Sequence, residues 1–153
     1  SSHPVEDDRL ARIRLASAPM VLVVHPDHAL ARLPQVDLAQ LHGCHLLVRE
    51  HGSMTRKATE DALAACAQKL PRHTVIGSRE AIYEAIRQNL GASVVPLGEE
   101  PKDPLLRVVP FAHGAPVLNE YLYCLQSRHG TRLVGAFLAC VTAADAAAEP
   151  QAA

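Results

Sequence analysis

Tryptophan is absent, and three tyrosines and two phenylalanines are the only aromatics in the 153 residues. So small a supply leaves little for stacking on bases or sugars. Basic residues show no excess either: 15 Lys and Arg stand against 16 Asp and Glu, a formal net charge of −1 with the cations scattered. A basic DNA-binding face is therefore not written into this stretch. No apolar run approaches the ~20 residues that span a bilayer, and no basic-then-apolar leader opens the chain, so the expected setting is cytoplasmic. The opening S-S-H-P-V-E-D-D-R-L is neither a Met start nor a tag, and reads as part of something longer. No C-x-x-C pair occurs among Cys44, Cys66, Cys124 and Cys140. They read as reduced, buried thiols rather than disulfides or metal ligands. The G-x-S-x-G, Walker A and G-x-G-x-x-G patterns are all missing.

What is present is apolar and well punctuated. Hydrophobic residues make up 48% of the chain, enough to bury a core. The most informative stretch is 73–96, which reads as strand, turn, helix, stop and strand. Thr74, Val75 and Ile76 form a β-branched run. Gly77 is expected to let the backbone turn, and Ser78 to cap a helix whose first turn carries Glu80. Ile82, Ala85, Ile86 and Leu90 make one stripe at helical spacing. Gly91 is expected as the residue that closes the helix, and Ala92 to Val95 as a buried strand ended by Pro96. The unit predicts two parallel neighbouring strands joined by a crossover helix.

The rest of the chain is consistent with an α/β protein. Met20 to Val24 reads as a strand, 37–41 as a short helix capped by Asp37, and His45 to Val48 as a strand. A second Gly-Ser turn follows at Gly52-Ser53, with Ser53 expected to cap a helix. Ala58, Ala62, Leu63, Cys66 and Leu70 form its apolar stripe, and Pro71 breaks it. Beyond Pro96, 105–111 and 118–126 read as strands. Thr131 to Val141 reads as an amphipathic helix with Leu133, Val134, Phe137, Leu138 and Val141 on one face. The Ala-rich tail is expected to be frayed or disordered.

The two Gly-Ser turns are the best functional lead. Each places a Ser hydroxyl and free N–H groups at a helix start, just beyond the carboxyl end of a strand, where open α/β sheets bind ligands. Together they could hold an anionic small molecule without a metal, with Arg56 and Arg79 adding charge. Either serine taken alone is also a plain helix cap. His25-x-x-His28 and His42-x-x-His45 have metal-like spacing but no carboxylate to complete a set, and read as turn histidines. Glu99 and Glu100 are adjacent in a loop and do not face each other. His51 and Ser53 are too close in sequence to act as base and nucleophile. No acid/base or nucleophilic engine is visible, so no enzyme, cofactor or metal is expected.

These residues also carry a family pattern. The blocks A-P-M-V-L-V-V-H-P-D-H-A-L-A (18–31), V-D-L-A-Q-L-H-G (36–43), L-L-V-R-E-H-G-S-M-T-R (46–56), I-G-S-R-E-A-I-Y-E-A-I-R-Q-N-L-G-A-S-V-V-P (76–96), L-L-R-V-V-P (105–110) and Y-L-Y-C-L-Q-S-R (121–128) follow one another in order. The chain resembles the effector-binding domain of LysR-type transcriptional regulators. Its wording at G-S-M-T-R and I-G-S-R-E-A-I is most similar to the branch associated with 2-aminoethylphosphonate catabolism. The resemblance implies an α/β fold of the type 2 periplasmic-binding-protein kind, with one complete lobe plus part of the other. Residues 1–24 would be the end of lobe one and the first hinge strand, and 25–97 lobe two. Residues 98–141 would be the second crossing and the return to lobe one, and 142–153 the disordered tail. A winged helix-turn-helix, a linker helix and the first half of lobe one are expected upstream.

The resemblance further implies that Ser53, Met54, Thr55, Gly77 and Ser78 line an effector site, joined by Arg56 and Arg79. The implied function is sensing of a small anionic metabolite, such as a phosphonate, to control an attached DNA-binding domain absent here. Implied partners are that effector, DNA only through the absent domain, and further copies of the complete chain in an oligomer, with no membrane. A transporter's solute-binding protein of the same fold is the alternative.

Overall fold

The computed structural model describes residues 5–148. They divide into two compact units, 18–118 and the remainder, 5–17 with 119–148. The larger unit holds the candidate site.

Its sheet is built on the end of β1 (Leu10–Val24). Val21 to Val24 lie against β5 (Arg107–Pro110) on one edge, and Met20 to Val23 against β4 (Ser93–Pro96) on the other, both antiparallel. A weak alternation over 11–15 and a separate run at 20–24 suggest two pieces, yet β1 is continuous through Pro19. Pro19 has no N–H to give a ladder, and its carbonyl accepts from Leu97 at 2.9 Å. Beyond β4 the sheet continues through a single parallel bridge, Leu46 to Ala92, with the Leu47 N–H donating to the Ala92 carbonyl at 2.7 Å. Next comes β2 (Leu46–Val48), then β3 (His73–Val75), paired in parallel in the register Val48 to Val75.

The order β3, β2, β4 corrects the simple crossover expected from 73–96. The strands at its two ends are not neighbours, because β2 is inserted between them. The helix joining β3 to β4 therefore passes over β2, and connections leave β2 and β3 toward opposite sides of the sheet. Such a reversal makes a crevice at the carboxyl ends of the strands.

Alternation along the strands separates two cores. Met20, Leu22, Val24, Leu46, Val48 and Val94 share one with Leu63 of α1 (Met54–Ala65). Val21, Val23, Leu47 and Val95 share the other with Ile82 and Ile86 of α2 (Arg79–Arg87). Each helix thus covers one face, as period-2 strands between period-3.6 stripes require.

Both helices stop by the same device, and not where glycine or proline suggests. In α2 the chain turns left-handed at Asn89 (φ 55°). The Leu90 N–H reaches the Ala85 carbonyl at 3.0 Å and the Asn89 N–H reaches Ile86 at 2.8 Å, which satisfies the last orphan carbonyls. Gly91 is not the closing residue. A Cβ there would stand 2.5 Å from the His45 carbonyl oxygen and 3.0 Å from Leu47 Cγ, so glycine is needed for close approach to β2. In α1 the left-handed residue is Ala67 (φ 55°), with Gln68 N–H on the Leu63 carbonyl at 2.9 Å. The helix ends five residues short of Leu70, before Pro71 can break it. Cys66 is consequently exposed, as is Cys140, while Cys124 is half-buried and only Cys44 is buried. All four thiols are free, but the expectation of four buried ones fails.

The short segment after Asp37 is a 3-10 helix, Leu38–Gly43. His25 and His28 are turn residues: their Nδ1 atoms accept from the N–H groups of Asp27 (3.1 Å) and Leu30 (3.2 Å). Among the described residues no group of three or more His, Cys, Asp and Glu is placed to hold a metal. No described helix is long and apolar enough to cross a membrane.

The smaller unit contains the start of β1, most of β6 (Val117–Leu125), which pairs with β1, and α3 (Arg132–Ala148). The Gln126 N–H donates to the Arg9 carbonyl at 2.7 Å, and the Arg12 guanidinium lies 5.1 Å from the Tyr121 ring centre. The expected common face of α3 is uneven: Val134, Leu138 and Val141 are half-buried, whereas Leu133 and Phe137 are exposed. The helix runs on past Val141 to Ala148, where the composition suggests a frayed tail; residues 149–153 of that tail, and the first four of the chain, lie outside the described residues.

Candidate functional site

Parallel pairing of β2 and β3 brings both Gly-Ser turns to the same end of the sheet, since each follows the carboxyl end of its strand. The Ile76 N–H donates to the Val48 carbonyl at 2.9 Å, which carries the pairing right up to the two turns. Beyond them α1 and α2 begin, their N–H groups unpaired by the helix and their dipoles positive at this end.

The two serines differ in their work. Ser78 Oγ accepts from the Ala81 N–H at 3.1 Å and caps α2 as expected. Ser53 occupies the cap position of α1, but its hydroxyl makes no capping hydrogen bond. Its backbone does the closing there, with the Lys57 N–H on the Ser53 carbonyl at 3.0 Å. The glycines differ as well. Gly52 takes φ 93°, the left-handed conformation that turns the first loop. Gly77 takes no such angle, and nothing lies within 4 Å of where its Cβ would be, so neither backbone nor packing demands glycine.

A cavity opens between the strand ends and the first turns of the helices. It is lined by 46–49 of β2 and its exit, by Thr55, Arg56 and Thr59 of α1, by Arg79 and Ile82 of α2, and by 93–95 of β4. Its volume, about 20 Å³ open to the centre of a water molecule, holds roughly one water. Of the residues expected from sequence, Thr55, Arg56 and Arg79 come together in this wall. Ser53, Met54, Gly77 and Ser78 lie outside it.

Arg49, Thr59 and Ser93 are additions. Arg49 follows the carboxyl end of a strand, so the same rule that singles out Gly77-Ser78 applies to it. Ser93 is a polar residue in an apolar strand, and its buried Oγ donates to the Leu47 carbonyl at 2.7 Å. Thr59 stands one helical turn after Thr55 and donates to that residue's carbonyl at 3.0 Å.

The electrostatics are dominated by arginine. Arg56 is buried, an uncommon place for a guanidinium, and is compensated by Glu60 (Nε to Oε1, 2.7 Å) and by the Arg49 carbonyl (Nη1, 3.2 Å). Arg49 forms a two-pronged pair with Glu50, both contacts 2.9 Å. That bond holds the Glu50 carboxyl below the ordinary carboxylate range, and raises Arg49 with help from nearby Glu80. Arg79 pairs with Glu99. Nothing in the wall couples a nucleophile to a base; the arrangement can hold an anion and orient it.

The family model of the LysR substrate-binding domain matches residues 1–146. The chain belongs to this family. Its fold is accordingly the type 2 periplasmic-binding-protein-like α/β fold. Among curated relatives, the RuBisCO operon transcriptional regulator of Allochromatium vinosum is 37% identical over 79 residues, 52% of this chain and 26% of that protein. The HTH-type transcriptional activator CmpR of Synechocystis sp. is 33% identical over 79 residues, with the same coverage. The aligned stretch thus spans only about a quarter of each of these regulators. Among solved structures, the Synechocystis PCC6803 CcmR regulatory domain in complex with 2-PG is 25% identical at a TM-score of 0.76, covering 94% of this chain and 71% of that one. The BenM effector-binding domain with its effector benzoate has a TM-score of 0.80 at 15% identity, covers 97% of this chain and 70% of that one, and speaks for the fold alone.

Proposed function

We propose that this LysR substrate-binding chain senses a small anionic metabolite and passes the signal to a DNA-binding domain on the same polypeptide. In this reading 25–97 is the effector-binding lobe, and 1–24 with 98–141 contribute the hinge strands and part of the other lobe. Ser53, Met54, Thr55, Gly77 and Ser78 line the effector site, with Arg56 and Arg79 supplying charge. A phosphonate is the first candidate, in keeping with the wording of the two Gly-Ser turns; 2-PG is the second, because the CcmR neighbour binds it. Control follows if the effector binds one arrangement of the lobes better than another. The protein works in the cytoplasm, as an oligomer when complete. The solute-binding alternative has no comparable support, since the curated relatives are transcriptional regulators.

The observation that carries the reading is the convergence of two helix starts and their arginines at one end of the sheet. Thermal-shift titration with 2-aminoethylphosphonate and with 2-PG tests it. One of the two should raise the melting temperature in a saturable manner, by RT ln(1 + [L]/Kd) in free energy. The Ser53→Ala/Ser78→Ala double variant should lose most of that rise. An unchanged rise in the double variant overturns the site, and no rise with any anionic metabolite overturns the anionic effector.

A further inference from the structure

Three arginines reach the cavity from three directions: Arg49 from the end of β2, Arg56 from the first turn of α1 and Arg79 from the start of α2. Their present partners differ in kind. The Arg56 side chain is 6% exposed and is pinned at both ends, by Glu60 and by the backbone of Arg49 itself. It acts as a fixed post that positions the strand end. The Arg49 and Arg79 side chains are 28% and 37% exposed, and each holds a carboxylate that is itself open to water, Glu50 at 47% and Glu99 at 38%. None of Glu50, Glu60, Glu80 and Glu99 is among the residues that line the cavity. Its wall therefore presents cations, hydroxyls and apolar groups, with no carboxylate.

We propose that Arg49 is an anion-binding residue at the mouth of this cavity, whose interior is only water-sized, and that a tetrahedral oxyanion arriving there from solvent takes over Arg49 and Arg79 from Glu50 and Glu99 while Arg56 stays in place. Exposed ion pairs are held weakly, so a ligand of higher charge displaces them at little cost. A phosphate-like or phosphonate-like head has three oxygens and carries between one and two negative charges at neutral pH. Arginines from three different elements suit that geometry better than a planar carboxylate with one charge. The proposal rests on the reading of this end of the sheet as an anionic effector site, and adds a residue that contacts the ligand and the intramolecular carboxylates the ligand competes with.

Isothermal titration of the full chain with methylphosphonate, and with acetate as control, tests it. Arg49→Gln should weaken methylphosphonate binding about tenfold or more, the usual effect of losing a charged hydrogen bond. Glu50→Gln should tighten it by about two- to fivefold, because the competing carboxylate is gone. An Arg49 that merely braces the fold gives no such tightening. Glu50 is exposed, so its variant keeps the test alive if Arg49→Gln does not fold. Methylphosphonate binding that both variants leave unchanged overturns the proposal while the anionic-effector reading stands. Acetate bound as tightly as methylphosphonate overturns the tetrahedral assignment. Binding to neither the wild type nor Glu50→Gln/Glu99→Gln overturns the proposal, while the anionic-effector reading stands or falls with the thermal-shift titration.

Discussion

Replacing Gly91 by Ala separates two explanations of one glycine. As a helix-closing residue it would be needed for a left-handed backbone; as observed, it is needed because β2 passes against it. The new Cβ would meet the His45 carbonyl oxygen at 2.5 Å, a backbone atom that cannot swing aside, and Leu47 at 3.0 and 3.2 Å. Leu47 is buried in the core beneath α2, and the His45 carbonyl already accepts from the Ala92 N–H at 2.9 Å. Relief therefore requires β2 and the start of β4 to part. Overpacking of this sort costs about 1–3 kcal/mol. The stiffer unfolded chain returns about 0.4–1 kcal/mol, leaving a net loss of roughly 1–2 kcal/mol. For a chain of this size that is a fall in Tm of about 2–8 °C, readable by calorimetry or by urea titration. The control is Gly91→Asn. Asparagine tolerates the left-handed conformation, so it would recover stability if Gly91 closed the helix, whereas against the His45 carbonyl any Cβ clashes. A Gly91→Asn protein as stable as wild type, or a neutral Gly91→Ala, refutes the close-approach argument.

Ala67 should behave in the opposite way: Ala67→Gly relieves a left-handed alanine worth about 1–2 kcal/mol, less the added freedom of the unfolded chain, for a net gain near 0.5–1 kcal/mol in urea titration. Ser78→Ala should lose about 1 kcal/mol with its cap bond, while Ser53→Ala, which breaks no cap bond, should change the midpoint by only a few tenths. Gly77→Ala should leave the melting temperature within about 1 °C of wild type but weaken effector binding if a ligand lies against that turn. Burial holds the His28 imidazole below its ordinary 6.5, so the unfolded chain binds the proton first; stability is complete above pH 6.5 and falls as pH drops below it. His28→Asn keeps a capping side chain and should flatten the Tm profile below pH 6.5. Asp103 works in a lower window. The Leu105 N–H and Arg87 hold its carboxyl below 3.8, so its contribution is present above that value and is lost as pH falls through the folded-state one.

Features written in neighbouring residues were legible without a structure. Ser78 reads as a cap, Ile82 and Ile86 as a buried stripe, and the run 93–95 as a buried strand, because each depends on spacings of a few positions. The two strand-turn-helix units could be read the same way, and with them the end of the sheet where a ligand site belongs. The stops were harder. Gly91 and Pro71 are strong local signals, yet Asn89 and Ala67 close the helices, because the orphan carbonyls of each last turn find partners there first.

Pairing was beyond the sequence. Inserting β2 between β3 and β4 joins residues 46 and 92 across a long loop, and only the fit of two cores onto opposite faces of one sheet selects it. That choice brings Arg49 and Ser93 into the wall with Arg56, and leaves Ser53, Met54, Gly77 and Ser78 outside it. The sequence by itself determined the two strand-turn-helix units and where α1 and α2 begin, since those follow from local spacing and caps. The tertiary structure alone decided which strand ends meet, because that is a contest between whole packed arrangements that no short stretch of chain can register.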